Sequence, residues 1–167
     1  MNMRIMFVVA VISAALVGLA VPVGKSNAQT AKDLEGTWSL VSLTIQRDGN
    51  KFEVYGDNPV GRLIFDANGR YSLMVRRSTL PKYASNNRDT GSPDEFKATV
   101  QGSNAHFGTY AVSLADKAVN FRIEVCTYPN WDGTEQKRTF TLDGDQLTYV
   151  TPGTGAGGAT VEAGEVS

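Results

Sequence analysis

Between residues 37 and 150 the chain breaks into short runs of alternating apolar and polar residues, and clusters of Gly, Asn, Asp and Pro stand between them. Alternation with a period of two buries one face of an extended strand, and punctuation this frequent leaves no room for long helices. Eight strands are predicted, over residues 37–47, 51–55, 62–66, 71–76, 107–113, 118–125, 136–142 and 146–150. The turns agree. Asp48-Gly49-Asn50, Gly56-Asp57-Asn58-Pro59 and Asp143-Gly144-Asp145 each close a strand, and residues 114–117 link another pair. Ala67-Asn68-Gly69-Arg70 is the strongest hairpin signal, because Asn-Gly accepts positive φ. Eight antiparallel strands suffice to close a barrel around one small ligand. The expected fold is all-β, an antiparallel barrel of about eight strands with one short helix.

That helix begins at Ser92-Pro93-Asp94-Glu95. Ser92 can cap it, Pro93 suits the first helical position, and Glu95 completes a capping box. It is expected to run to about Val100 and stop at Gly102. Before it lies a polar loop, residues 77–91, with Arg76, Arg77, Lys82 and Arg88 around it. Asp89, Asp94 and Glu95 balance that charge, so the segment reads as a solvated connector, the alternative being a functional loop whose basic stretch forms a lip for an anionic ligand.

Upstream of the strands, residues 1–28 have the order of a secretory signal peptide: a charge at Arg4, an apolar run over 5–20, and the small-residue site Ser26-Asn27-Ala28. Cleavage there leaves 139 of the 167 residues, enough for one domain. The remainder holds 14 basic and 17 acidic residues, a balance that points away from nucleic acid and from anionic membrane surfaces. The expected location is periplasmic or secreted, with no stable membrane insertion once the signal is removed. A single cysteine, Cys126, precludes an internal disulfide, so stability rests on packing. The division is a signal peptide at 1–28, a barrel domain at 29–152 and a Gly-rich C-terminal segment at 153–167. That segment matches a dinucleotide fingerprint by letter only, since no helix follows it. It reads as a tail, or as a turn into a short last strand.

Alternation also assigns faces. In residues 118–125, Val119, Phe121, Ile123 and Val125 share one side, while Asn120, Arg122 and Glu124 share the other. The plain reading puts the apolar side inward; the converse would place Arg122 and Glu124 in a ligand cavity. Arg138 shares a face with Phe140 and Leu142, where a buried charge requires a partner. An aromatic face supplies one, and Trp38 is the expected ring. In the first strand Trp38 and Leu40 face one way, but Val41, Leu43 and Ile45 face the other, so a bulge or bend is expected.

Several motifs occur in order: Gly36-Thr37-Trp38, Pro59-Val60-Gly61-Arg62-Leu63, Asn68-Gly69-Arg70-Tyr71-Ser72, Phe107-Gly108-Thr109-Tyr110, Tyr128-Pro129-Asn130-Trp131-Asp132-Gly133-Thr134, and Arg138 with Leu142-Asp143-Gly144-Asp145-Gln146-Leu147. Over residues 34–151 this set resembles the bacterial and fungal lipocalin-like domain family. The resemblance implies a closed barrel with an internal cavity, in which Trp38 and Arg138 are structural and Trp38 plugs one end. It implies no settled reaction and no catalytic residues. Two departures stand out. Where related sequences often carry histidine, this chain reads Val119-Asn120-Phe121-Arg122, and the usual charged, aromatic final strand is replaced by residues 161–167.

Other chemistry is sparse. One His and one Cys cannot assemble a zinc site of those ligands, and no nucleophile elbow or phosphate loop is present. No cofactor or metal is expected. His106 reads as a surface or strand-end residue, and Cys126 as a small hydrophobe. The leading reading is an exported protein that binds a small hydrophobic or amphipathic molecule, with Tyr71, Met74, Phe107, Tyr110, Arg122, Glu124, Tyr128 and Trp131 as candidate ligand contacts. One alternative is an isomerase- or cyclase-type enzyme on an apolar substrate, using Arg122 with Glu124 or His106 with Tyr110. Another is a structural or interaction module of the cell envelope with a filled core.

Overall fold

The split pattern of the first strand resolves as a bulge. In the computed structural model, which describes residues 30–47, 50–151 and 159–165, strand β1 (Gly36–Arg47) shifts register between Leu40 and Ser42. Val41 turns out to solvent, and Leu43 and Ile45 rejoin Trp38 and Leu40 on the inner side. One extra residue on one strand reverses the facing of everything beyond it. The turn expected at residues 48–49 and the signal segment at 1–28 lie outside the described residues.

The remaining elements follow in chain order: β2 (Asn50–Glu53), β3 (Val60–Phe65), β4 (Arg70–Arg76), α1 (Pro93–Gln101), β5 (Ser103–Ser113), β6 (Ala118–Cys126), β7 (Glu135–Asp143), β8 (Gln146–Thr151) and β9 (Ala159–Glu165). All strand pairs are antiparallel. The order is β2-β1-β3-β4-β5-β6-β7-β8-β9, and a further β1–β9 pairing closes the ring. Two expectations change here. β2 is not a stave of the barrel. It pairs only with the last four residues of β1, and β3 pairs with the first four. The eighth stave is β9, drawn from the segment beyond a domain ending at 152, so of the two readings of that segment, a tail or a turn into a short last strand, the second holds. It pairs with β8 on one side and β1 on the other, which leaves neither edge open. Residues 153–158 of that segment lie outside the described residues.

The local chemistry of turns and caps works as the residue types require. Asp66 Oδ1 accepts from the N–H groups of Asn68 and Arg70 (2.8 Å each), and Gly69 sits at φ 76°. At the start of α1, Ser92 Oγ accepts from Glu95 N–H, and Glu95 Oε2 accepts from Ser92 N–H. Glu95 Oε1 also accepts from Ala84 N–H, which ties the preceding loop to the helix. These backbone donors hold the Glu95 carboxyl below its ordinary pKa.

One end of the barrel is sealed. A 3-10 turn, Ala31–Leu34, sets Leu34 under it, and Trp38 donates from Nε1 to Leu34 O at 2.9 Å. Leu63, Phe65, Phe121, Phe140 and Leu147 pack in the same core. Phe65 meets Tyr110 at 4.6 Å between ring centres, and Tyr71 meets Phe121 edge-on at 4.7 Å. The hairpin turns at residues 66–69, 114–117 and 144–145 lie at this end. At the other end lie β2, the long loop with α1, and the 3-10 turn Pro129–Trp131 that follows β6. Among the described residues no helix is long and apolar enough to cross a membrane.

Candidate functional site

The unsealed end holds a cavity of about 270 Å³. Its walls come from five of the eight staves: Leu43 and Ile45 of β1, Leu73 and Val75 of β4, Asn104 and His106 of β5, Arg138 of β7, Tyr149 and Thr151 of β8. Val54 and Tyr55 reach in from the end of β2, and Trp131 from the turn after β6. Period-two alternation places the strand residues there, because each lies on the inner face of its strand at the end away from Trp38. Two larger depressions lie elsewhere: one of about 340 Å³, where Leu40, Pro59, Val60 and Met74 stand with Arg62 and Arg76, and one of about 440 Å³, where Arg122, Glu135 and Lys137 contribute charge. The interior cavity has the shape a ligand site needs, apolar walls with a few placed polar groups.

Those polar groups are His106, Arg138 and Tyr149, each at most 4% exposed, with Asn104 and Tyr55 beside them. A hydrogen bond of 2.9 Å joins His106 Nδ1 to Tyr71 Oη. Burial pushes the imidazole down to about 3, helped by the positive charge of Arg138, so the ring is neutral. Burial likewise raises Tyr71 well above an ordinary phenol. Tyr149 is raised for the same reason, and both keep their protons. Trp131 stands edge-on to His106, 6.0 Å between ring centres.

Arg138 is 2% exposed. Its guanidinium carbon lies 4.5 Å from the centre of the Phe121 ring and 5.4 Å from that of Tyr149. Nη2 donates to Gln136 Oε1 at 2.9 Å, and Nε is buried with no hydrogen-bond partner. The aromatic partner expected from the sequence is therefore right in kind and wrong in identity. The register sets Arg138 opposite Val119, one inward position from Phe121, while Trp38 bonds to Leu34 at the sealed end.

The structure separates the candidate contacts. Trp131 lines the cavity, and Tyr71 stands behind it against His106. Tyr110 faces inward, but its hydroxyl donates to Asp66 O at the sealed end, which takes it out of the cavity and away from His106. Five candidates face outward. Met74 is 53% exposed, Phe107 45% and Tyr128 51%. Glu124 pairs with Arg70 (3.1 Å) and Arg122 with Glu135 (3.6 Å) on the surface. Met74 alternates away from Leu73 and Val75, Phe107 away from His106, and Arg122 and Glu124 away from Phe121 and Ile123, so the plain polar-out reading of β6 holds up to Glu124, while Val125, expected inward, is turned out beside the register shift at Phe107 and Gly108.

His106 corrects the surface reading in the same way, since Leu73 opposite it fixes that face as inner. Of its neighbours, Arg138 was legible as a member of an apolar face, while Asn104 falls before the strand predicted over 107–113, which begins at Ser103. Tyr55 was not legible, because it reaches the cavity from a turn. Cys126 is buried; its Sγ donates to Asn104 Oδ1 (3.3 Å), and burial raises the thiol pKa. No group of three metal-ligating side chains occurs among the described residues.

A closed antiparallel barrel, sealed at one end and hollow at the other, defines a ligand-barrel class of fold. The lipocalin-like domain family matches residues 35–159, so this chain belongs to that family. No match was found among curated proteins. Among solved structures it is similar to a redesigned beta barrel, at 13% identity and a TM-score of 0.42, over 80% of this chain and 92% of the other.

Proposed function

We propose that this chain is exported and that its barrel binds a small hydrophobic or amphipathic molecule in the cavity at the unsealed end. The observation that carries the reading is the cavity itself, walled by Leu43, Ile45, Val54, Leu73 and Val75 with a few polar groups among them. A filled core would have suited a purely structural module instead. Residues 1–28 support export by their order of charge, apolar run and small-residue site. Trp131 is a built-in reporter, because it lines the cavity while Trp38 is shut in the core. A ligand panel of short-chain lipids and aromatics is expected to change Trp131 fluorescence in wild type and not in Trp131→Phe. No change across the panel, with no molecule co-purifying under native conditions, would overturn the reading.

One observation favours a second reading, a proton-transferring enzyme: the His106–Tyr71 pair beside the cavity. Against it, an imidazole pushed down to about 3 is a weak base. Turnover lost in His106→Gln with ligand affinity retained would select the enzyme.

A further inference from the structure

The buried guanidinium of Arg138 has no counter-charge. None of the ion pairs among the described residues includes it. Its Nε has no acceptor, Nη2 donates to the neutral amide of Gln136, and the neutral rings of Phe121 and Tyr149 cover it. A charge taken out of water without a partner is costly unless something supplies the opposite charge. The same side chain lines the cavity, where it is the sole charged residue among twelve. His106 and Tyr149 beside it keep neutral forms. The site therefore offers one positive charge, a planar fork of donors, and apolar walls facing it.

From this we infer that the natural ligand is a monoanionic amphipathic acid, its carboxylate seated on Arg138 and its apolar body against Leu43, Ile45, Leu73, Val75 and Trp131. The inference rests on the binding reading above and specifies the ligand class. A planar guanidinium matches a carboxylate in shape and charge. A dianionic phosphate would need a second cation, which the lining residues lack. At about 30 Å³ per water-sized unit, 270 Å³ admits a molecule of about ten heavy atoms. Aromatic propanoates and medium-chain acids have that size.

Calorimetry on the wild-type chain with octanoate and 3-phenylpropanoate, set against their neutral amides, tests this. A charge-assisted hydrogen bond is worth enough to favour the acids by at least about tenfold. Arg138→Gln is expected to erase that preference while the amides still bind. Amides binding wild type as tightly as acids would overturn the inference and leave the cavity reading intact. So would an acid preference that survives in Arg138→Gln, which would point to the exposed Arg77 instead, or octyl phosphate binding more tightly than octanoate. Acids and amides both failing to bind, with a neutral apolar panel failing too, would overturn the cavity reading. If Arg138→Gln does not fold, the acid–amide comparison on wild type decides alone.

Discussion

His106 makes stability depend on pH down from 6.5, and the upper part of its window lies above the ordinary range of the carboxylates. The folded protein holds its imidazole at about 3, against 6.5 for the free side chain. The unfolded chain therefore takes up a proton below pH 6.5 that the folded chain refuses until about pH 3. The unfolded state binds more protons throughout that window, so stability falls as pH falls. The contribution is fully present above about pH 6.5 and is lost progressively on acidification. Each pH unit well inside the window costs about 1.4 kcal/mol, so going from 6.5 to 4.5 removes somewhat under ~3 kcal/mol. Asp66, Glu95 and Asp116, whose carboxyls hydrogen bonds hold below their ordinary pKa, add the same sign only in more acid solution. Urea unfolding at pH 4.5, 5.5 and 6.5 measures the effect in wild type and in His106→Gln. The variant gives up the bond to Tyr71 and is less stable at neutral pH by about 1–3 kcal/mol, but its stability is expected to be flat over this range. Equal slopes in the two proteins would refute the reasoning, because they would mean that His106 protonates freely in the fold.

Three further outcomes follow from packing. Trp38→Ala empties the sealed end and is expected to cost about 3–5 kcal/mol by urea unfolding; Trp38→Phe, which keeps the ring and loses the bond to Leu34 O, should cost distinctly less. Gly108→Ala would put a Cβ 2.0 Å from the backbone oxygen of Arg122, at the β5–β6 register shift. Backbone cannot move aside as a side chain can, so a loss of about 3 kcal/mol or more is expected on melting. Ending the chain after Thr151 removes β9 and exposes the edges of β1 and β8; light scattering should show association of the truncated protein and not of the full chain.

The strand set was legible where alternation and turn chemistry coincided. The hairpin around Asn68-Gly69 and the capped start of α1 at Ser92 needed no tertiary information, because both are built from contacts within a few residues. The bulge after Leu40 was legible too, as a conflict between two apolar faces. The ninth strand was legible only as an alternative to a tail. Ala159–Glu165 follows a Gly-rich stretch and carries no strong alternation, and it is held by its neighbours β1 and β8, not by its own pattern. The site was legible in part. Trp131 and the unease of a charge at Arg138 were visible, but the bulky and aromatic candidates Met74, Phe107 and Tyr128 were chosen for residue type. Met74 and Phe107 lie on the outer faces of their strands, and Tyr128 stands half-exposed at the start of the turn after β6.

The sequence alone determined the class of fold and the burial of Arg138, because both follow from period-two patterning and from residue types that prescribe turns. Which ring covers Arg138, whether the barrel is hollow, and whether its last edge is closed were settled only by tertiary structure. Each depends on the register between strands far apart in the chain. A shift of one residue there exchanges inside for outside without changing any local preference.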